Sequence, residues 1–257
     1  MANSGSGDSV VDRVVRVIAA FPEGVTVLQL SELAARTGLP LTTAHRLVRQ
    51  LAGHGLLDVG TGGSVRLGLR LWEIVNRNSP TLELRQAAMP FMEDIQQVLN
   101  QNVNLAVLDG WEALFVERLS RRGSAANRAQ VAGRMPVHLS SAGLVLMANQ
   151  PMPVQAEYLE RFTDPTGRLA LEDLRILLGE AAHQGYAQLA GVVDPDTWGI
   201  AVPVLDRKKR IVAALGVVVP LREVRLQALV PALQTAARGI GRRLGESQSG
   251  AEFRSME

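Results

Sequence analysis

The stretch LPLTTAHRLVRQLAGHGLL, from Leu39 to Leu57, carries hydrogen-bond donors and positive charges but no carboxylate. Hydroxyl, imidazole and guanidinium groups can donate to phosphate oxygens and to the edges of nucleic-acid bases. A carboxylate among them would repel an anionic duplex, which gives its absence a physical reason. Chemistry of this kind recognises a surface and breaks no bond. The polar side chains at helical spacing are Thr42, Thr43, His45, Arg46 and Arg49.

Three helical segments followed by two short strands must position these side chains. Apolar residues recur at helical spacing in Val10–Phe21 and in Leu28–Thr37, and Pro40 opens the third helix. Leu56–Val59 and Val65–Leu69 flank the glycine-rich GTGGS, which predicts a hairpin. This order of elements is typical of a winged helix-turn-helix, whose reader helix presents its first half to base edges in the major groove.

The individual side chains suit different parts of a DNA duplex. Arg46 can form a forked pair with guanine, and Arg49, one turn later, suits a phosphate. Arg66, beside the hairpin tip, is placed to reach a phosphate or the minor groove. Two alternatives stay open: the helix face is merely solvated, or the winged helix binds another protein. The residues expected to contact double-stranded DNA are Thr42, Thr43, His45, Arg46, Arg49 and Arg66.

The pattern changes after Asn100, where strands and helices begin to mix. The preceding residues are amphipathic and helical, with Pro90 as a boundary or kink. Two β-rich runs then flank Asp109-Gly110, a strong hairpin signal, and the later elements do not alternate strictly, which favours an α+β fold. We therefore expect a winged helix-turn-helix domain at residues 9–78, connector helices at 79–100 and an α+β domain at 101–246.

Composition excludes several classes of protein. The chain has 257 residues, a formal net charge of +2 and no cysteine, so disulfides and thiolate metal sites are excluded. Its four histidines are scattered without metal-ligand spacing, and we expect no metal and no cofactor. The N-terminus lacks the pattern of a signal peptide, and the apolar run from Ile211 is too short to span a bilayer. We therefore expect a cytoplasmic protein with no membrane partner.

A hydrolase-like site is the rival interpretation for the centre of the chain. His138, Ser140 and Ser141 lie close in sequence, and Asp194 and Asp196 follow later. The chain has no Gly-x-Ser-x-Gly motif and no ordered triad, and the short spacing of the serines suits helix capping. We therefore expect no catalytic residues and no enzymatic activity.

The ordered motifs of the chain resemble those of the IclR-type bacterial transcriptional regulators. LPLTTAHRLVRQLAGHGLL is similar to the reader helix of that family, and VRLGLRLWEI to the strand and helix after its wing. RMPVHLSSAGLVLMA, GIAVPVLDRKKRIVAALGVVVP and IGRRLG follow in the family's order. The resemblance implies a GAF-like effector domain at residues 101–246 with a mostly antiparallel sheet. It also implies a homodimer or homotetramer on a palindromic operator, with half-sites ~34 Å apart.

The resemblance places a small organic acid between the sheet and the helix that starts near Ser140. Free backbone amides at a helix start suit a carboxylate. The chain has Gly216 and Val218 where many members have serines, and Trp198 is able to stack on a flat ligand. An apolar wall favours an aromatic acid over a short polar one, although ordinary core packing is the alternative role for these residues. The residues expected to bind the effector are Met135, Val137, Leu139, Ser140, Ser141, Ala142, Asp194, Trp198, Gly199, Gly216 and Val218.

These observations predict a ligand-responsive regulator that binds operator DNA. The effector is expected to change how the connector helices hold the two reader helices of a dimer. The alternative is a winged-helix interaction module, or a small-molecule-binding protein, that does not bind DNA.

Overall fold

The computed structural model describes residues 8–22, 24–77, 79–120, 129–165, 167, 169–223 and 225–254. The chain divides into two compact units, residues 1–79 and residues 80–257. None of the helices in the described ranges has the length and apolarity that a membrane crossing requires.

The first unit is a helical core with a small antiparallel sheet. Its elements are α1 (Val10–Ala19), β1 (Leu28–Gln29), α2 (Leu30–Thr37), α3 (Leu41–Gly53), β2 (Leu57–Val59), β3 (Ser64–Leu67) and α4 (Leu69–Arg77). The strand order is β1-β3-β2, so β3 is central and pairs with both neighbours. Leu33, Leu47 and Leu57 are almost fully buried and join the helices to the sheet. This arrangement confirms the predicted winged helix-turn-helix.

The start of the second helix differs from the prediction. Leu28 and Gln29 form a short strand that pairs with Val65 and Ser64 of β3. The reason is local, because the carboxylate of Glu32 accepts from the amide of Gln29 at 2.9 Å. This capping box starts the helix at the next residue. Leu28 therefore stays extended and is buried in the sheet instead of on a helix.

The second unit is an α+β domain with one six-stranded sheet. Its elements are α5 (Pro80–Leu99), β4 (Asn102–Asp109), β5 (Glu112–Leu119), β6 (Arg134–Pro136), α6 (Ser141–Ala148), α7 (Met152–Arg161), α8 (Leu171–Gln184), β7 (Ala187–Ala190), β8 (Thr197–Leu205), β9 (Ile211–Pro220) and α9 (Leu226–Arg254). The strand order is β6-β5-β4-β9-β8-β7, and every neighbouring pair is antiparallel. The predicted α+β fold with a mostly antiparallel sheet is confirmed.

Helices cover both faces of this sheet. On β9, Leu215 and Val217 join the core that includes α5 and α9, whereas Ala214 joins the core that includes α6 and α8. Successive side chains of a strand point to opposite faces, so a buried strand contributes side chains to two cores. The small Ala214 and Ala201 allow α6 to lie close to the centre of the sheet.

Helix α5 differs from the predicted connector in two respects. It runs through Pro90 without a break, and its buried side chains belong to the core of the second unit. A proline inside a helix costs roughly 3 kcal/mol. Burial of Leu84 and Met92 offsets this, since each large apolar side chain contributes about 1.5–3 kcal/mol. Helix α9 runs through Pro231 in the same way.

Candidate functional site

Helix α3 separates into a buried side and an exposed side. Ala44, Leu47, Val48 and Leu51 are buried and fix the helix to the core. The turn before it places Gly38 in the left-handed conformation at φ 65°, which a glycine adopts without steric cost. The predicted contact residues on this helix are exposed, except for Thr43, which is half-buried; they are Thr42, Thr43, His45, Arg46 and Arg49.

The positive charges on this exposed face are not compensated. Among the residues that the structure describes, neither Arg46 nor Arg49 forms an ion pair. The first turn of α3 contains no acidic side chain. The face therefore offers guanidinium and hydroxyl donors to an external anion, as DNA contact requires.

Arg66 on the wing is already paired within the protein. Its Nε lies 3.2 Å from Oδ2 of Asp58, its partner across the β2–β3 ladder, and both side chains are largely exposed. Exposed ion pairs contribute about 0–1 kcal/mol, so a phosphate can replace this carboxylate at little cost. The tip between these strands contains Gly62 and Gly63 with positive φ, which leaves its backbone open to close approach.

The second site is a cavity of about 70 Å³ between the sheet and the start of α6. Strands β4, β8 and β9 form its floor, and the turn between β7 and β8 closes one side. Nine of the predicted effector residues line it: Met135, Leu139, Ser140, Ser141, Ala142, Asp194, Gly199, Gly216 and Val218.

The start of α6 supplies the polar end of the cavity. Oγ of Ser140 accepts from the amide of Gly143 at 2.9 Å, as a helix cap does. The amides of Ser141 and Ala142 have no acceptor within the helix, because the first amides of an α-helix never do. Gly143 permits this geometry, since a Cβ there would lie 2.5 Å from the carbonyl oxygen of Val137. The helix start therefore presents donors beside the cavity, where a carboxylate would accept them.

The opposite wall is largely apolar and glycine-rich. A Cβ at Gly199 would lie 3.1 Å from Oγ of Ser141, so this glycine keeps the space under the helix start open. A Cβ at Gly216 would lie 3.1 Å from the carbonyl oxygen of Ile200. Glycines at these positions thus enlarge the cavity, and Val218 gives it an apolar side.

Several residues that line the cavity were not predicted from the sequence. Asn104 is a buried polar residue in the largely apolar strand β4. A polar side chain within an apolar strand is a sequence signal that could have identified it. Thr197 sits next to the predicted Trp198. The other missed lining residues are Phe115, Ala129, Leu189, Val192, Val193 and Val217.

Two predicted effector residues do not line the cavity. Trp198 packs against the core that includes α5 and α9, on the opposite face of the sheet from Ala201. The reason is the alternation along β8, where only every second side chain faces α6. Val137 is fully buried and packs in the core around α6. The cavity is therefore formed without the side chains of Trp198 and Val137.

His138 and Tyr158 form a buried polar pair in the α6 core. Nδ1 of His138 lies 3.3 Å from Oη of Tyr158, and the imidazole packs edge-on against Phe162. Burial lowers the pKa of His138, although the charge of Asp164 acts in the other direction. Burial also raises the pKa of Tyr158 to about 12. The histidine thus faces a phenol, and the neighbouring Ser140 caps a helix, so neither side chain is arranged as a nucleophile–base pair.

Metal-ligating side chains do not gather anywhere in the described part of the chain. No group of three or more His, Cys, Asp or Glu residues there has the geometry to hold a metal ion.

Comparisons with known proteins match both units. The model of the IclR helix-turn-helix domain matches residues 10–59, and that of the C-terminal domain of the bacterial transcriptional regulator IclR matches residues 79–242. The HTH-type transcriptional regulator XynR of Escherichia coli is 28% identical over 211 residues, which cover 80% of this chain and 84% of XynR. The Pca operon regulatory protein of Acinetobacter baylyi is 27% identical over 244 residues, covering 90% of this chain and 87% of that protein.

A solved structure is also similar over nearly the whole chain. It is the complex of an IclR homolog from Microbacterium hydrocarbonoxydans with 4-hydroxybenzoate. That protein is 41% identical to this chain, with a TM-score of 0.85, and the match covers 92% of this chain and 99% of the other.

Proposed function

The chain belongs to the IclR family of bacterial transcriptional regulators, and we propose that it binds a palindromic operator as a homo-oligomer under the control of an aromatic acid. The family consists of regulators and not of enzymes, which confirms the expectation that the chain is not an enzyme.

The exposed face of α3 is the observation that carries the DNA-binding half of the proposal. Its arginines have no ion-pair partner among the described residues. They point to solvent, because the opposite side of α3 is packed in the core. In a dimer the two reader helices enter successive major grooves about one helical turn apart. The six residues proposed to contact the operator are Thr42, Thr43, His45, Arg46, Arg49 and Arg66.

The chemistry of the cavity supports an aromatic acid as effector. The amides at the start of α6 suit a carboxylate, and Phe115 and Val218 suit a ring. Asp194 at the β7–β8 turn would repel a second carboxylate but can accept from a ring hydroxyl. We infer that a hydroxybenzoate fits better than a dicarboxylate. The Microbacterium homolog in complex with 4-hydroxybenzoate and the Pca operon regulator support this inference.

A chain of hydrogen bonds joins the cavity wall to α5. The carbonyl of Ala129, a lining residue, accepts from Nη1 of Arg118 at 2.8 Å. The amide of Arg118 donates to Oε1 of Glu117 at 2.9 Å, and Oε2 of Glu117 accepts from Arg85 of α5. A shift of Ala129 caused by a ligand would therefore be transmitted through these hydrogen bonds to the first turns of α5. Because α5 follows the first unit directly in sequence, we propose it as the element that transmits occupancy of the cavity to the reader helices.

Calorimetry and gel shift together test the proposal. The full-length protein is titrated with 4-hydroxybenzoate, benzoate, terephthalate and glyoxylate, and its binding to the DNA upstream of its own gene is measured with and without each acid. We expect 4-hydroxybenzoate to bind most tightly and to change operator affinity by roughly 5- to 150-fold, the usual range of allosteric coupling.

Each half of the proposal can fail separately. Tighter binding of glyoxylate than of the aromatic acids would refute the effector class. Failure to bind any duplex at low salt would favour the alternative, a winged-helix interaction module. A ligand that binds while operator affinity is unchanged would refute the coupling through α5.

A further inference from the structure

A second concave surface lies in the second unit, between the β8–β9 turn and α9, and we call it the cationic groove. It has a volume of about 300 Å³ and shares no lining residue with the cavity at α6. Its apolar part includes Leu205, Ala237 and Gly241. Its cations are Arg207 and Lys209 from the turn and Arg238 and Arg242 from α9, and Asp206 adds one carboxylate.

Three cations of the cationic groove, Lys209, Arg238 and Arg242, have no carboxylate partner among the described residues. The carboxylate that lines it, Asp206, already accepts from Nε of Arg210 at 2.8 Å. Among the described residues, Lys209 and Arg242 form no ion pair, and Arg238 donates only to the neutral hydroxyl of Thr235. A concave surface lined by one sign of charge concentrates counter-ions of the opposite sign.

Two glycines of α9 bring the turn into direct contact with the helix. A Cβ at Gly241 would lie 2.1 Å from the carbonyl oxygen of Leu205, so any larger residue would push the turn away. A Cβ at Gly245 would lie 2.1 Å from Nε of Arg207, which places that guanidinium against the helix. The cations of the turn and those of the helix are thus held on one surface.

The backbone at Lys209 adds an independent observation. Lys209 has a φ of 62°, in the left-handed region that glycine or asparagine adopts at lower cost. This conformation is unfavourable for a residue with a Cβ, because the Cβ lies too close to a backbone carbonyl oxygen. Residues held in such a conformation are concentrated at functional sites. A lysine at this position is consistent with a role for its charge, because a residue chosen for the turn alone would be glycine or asparagine.

We propose that the cationic groove binds a small polyanion that carries closely spaced phosphate groups. Guanidinium groups pair with phosphate oxygens in a forked geometry, and lysine adds a compact point charge. Each phosphate monoester carries about −1.5 to −2 charges, so two phosphates match the charge of Lys209, Arg238 and Arg242. A monocarboxylate would leave most of these cations uncompensated. The apolar part of the groove suits the organic body of a phosphate ester.

Titration of the full-length protein with inorganic tripolyphosphate tests this proposal. We expect saturable binding of one tripolyphosphate per chain by calorimetry at about 0.1 M salt, where long-range attraction is screened. Arg238→Gln combined with Arg242→Gln should weaken it at least about tenfold, since both substitutions remove charge-assisted hydrogen bonds to phosphate. Arg161→Gln combined with Arg175→Gln is the matched control, because it removes two exposed charges from α7 and α8. The control should bind as the wild type does.

Equal weakening in both double variants, or no saturable binding, would overturn the proposal. Loss of operator affinity restricted to the groove variant, without tripolyphosphate binding to the wild type, would assign the groove to the DNA backbone and overturn it as well. Lys209→Asn removes one cation of the groove without a risk of misfolding, because asparagine adopts the left-handed conformation of residue 209 more readily than lysine does. Weaker tripolyphosphate binding with an unchanged or higher Tm is expected, and unchanged binding would count against the site.

Discussion

Arg85 on α5 donates two hydrogen bonds to the same carboxylate oxygen of Glu117 on β5, from Nε at 2.9 Å and from Nη2 at 2.6 Å. The Glu117 side chain is 8% exposed and the Arg85 side chain 39%. A buried carboxylate is tolerated while its cationic partner is present and becomes costly when the partner is removed. The pair therefore fixes the first half of α5 to strand β5.

Arg85→Met should lower the free energy of unfolding by about 2–3 kcal/mol, as measured by urea denaturation. The expected loss is below the ~3–5 kcal/mol of a fully buried pair, because Arg85 is partly exposed. Arg175→Met breaks the exposed pair with Glu172 and should cost less than about 1 kcal/mol.

The double variant Arg85→Met with Glu117→Met separates stability from coupling. It should recover most of the stability, because two apolar residues replace the whole pair. Its operator affinity should respond less to the effector, since the hydrogen-bonded link to Ala129 is gone. A full response to the effector in this variant would show that α5 is coupled to the cavity by another route.

Local signals in the sequence predicted those parts of the fold that local chemistry determines. Ser140 was expected to cap a helix, and its Oγ does cap α6. Gly38 and Gly185 end helices α2 and α8 in the left-handed conformation, which is the usual role of a glycine after a helix. Leu28 was assigned to a helix because its apolar spacing fits helix and strand alike, and only its pairing with Val65 decides between them.

The composition of the cavity was harder to predict because it depends on strand register. Trp198 and Gly199 are neighbours on β8 and therefore lie on opposite faces of the sheet, but tertiary packing decides which face meets α6. Asn104 and Phe115 reach the cavity from strands that are distant in sequence from Ser140. Single-residue properties carry no information on which strands become neighbours, so these lining residues were missed.

Replacing the two arginines of α3 should produce different defects in DNA binding. Arg46→Ala should reduce discrimination between the operator and random DNA by about 1–3 kcal/mol, because a forked guanine contact is lost. Arg49→Ala should weaken both complexes alike and reduce the slope of log affinity against log salt by about 1. Fluorescence anisotropy over a range of salt concentrations measures both quantities. Arg175→Ala, on α8, serves as the control and should change neither; identical defects in Arg46→Ala and Arg49→Ala would contradict the assigned roles.

Asp58→Asn should strengthen DNA binding, because Arg66 would no longer be shared with a carboxylate at 3.2 Å. The gain should be at most about fivefold, since an exposed ion pair contributes no more than about 1 kcal/mol. The salt dependence of binding should steepen if Arg66 then neutralises a phosphate. Glu73→Gln removes the same charge from an exposed pair on α4 and should have the smaller effect. Weaker binding by Asp58→Asn would mean that the carboxylate positions Arg66 for DNA instead of competing with it.

The buried His138 should make stability depend on pH. Its pKa in the folded protein lies below its ordinary value of 6.5, so the unfolded chain binds the proton first as the pH falls. The contribution to stability is therefore present above pH 6.5 and is lost as the pH falls from 6.5 towards the lower folded pKa. Urea denaturation above and below this pH should show a smaller loss for His138→Asn, which cannot titrate, than for the wild type. His183→Asn alters an exposed histidine and should keep the wild-type dependence; an unchanged pH dependence in His138→Asn would exclude His138 as its source.

Val218→Ser tests whether the apolar wall selects the effector. Val218 lines the cavity, and a hydroxyl in its place would remove contact with a ring and offer a hydrogen bond to a short polar acid. Affinity for 4-hydroxybenzoate should fall by about 1–2 kcal/mol, while that for glyoxylate should rise. Val212→Ser is the matched control, because Val212 is half-buried on the same strand but lies outside the cavity lining. Gly216→Ser is less informative, since its Cβ would already crowd the carbonyl oxygen of Ile200 at 3.1 Å. Calorimetry with both acids decides the matter, and an unchanged ratio of the two affinities in Val218→Ser would show that the wall does not determine specificity.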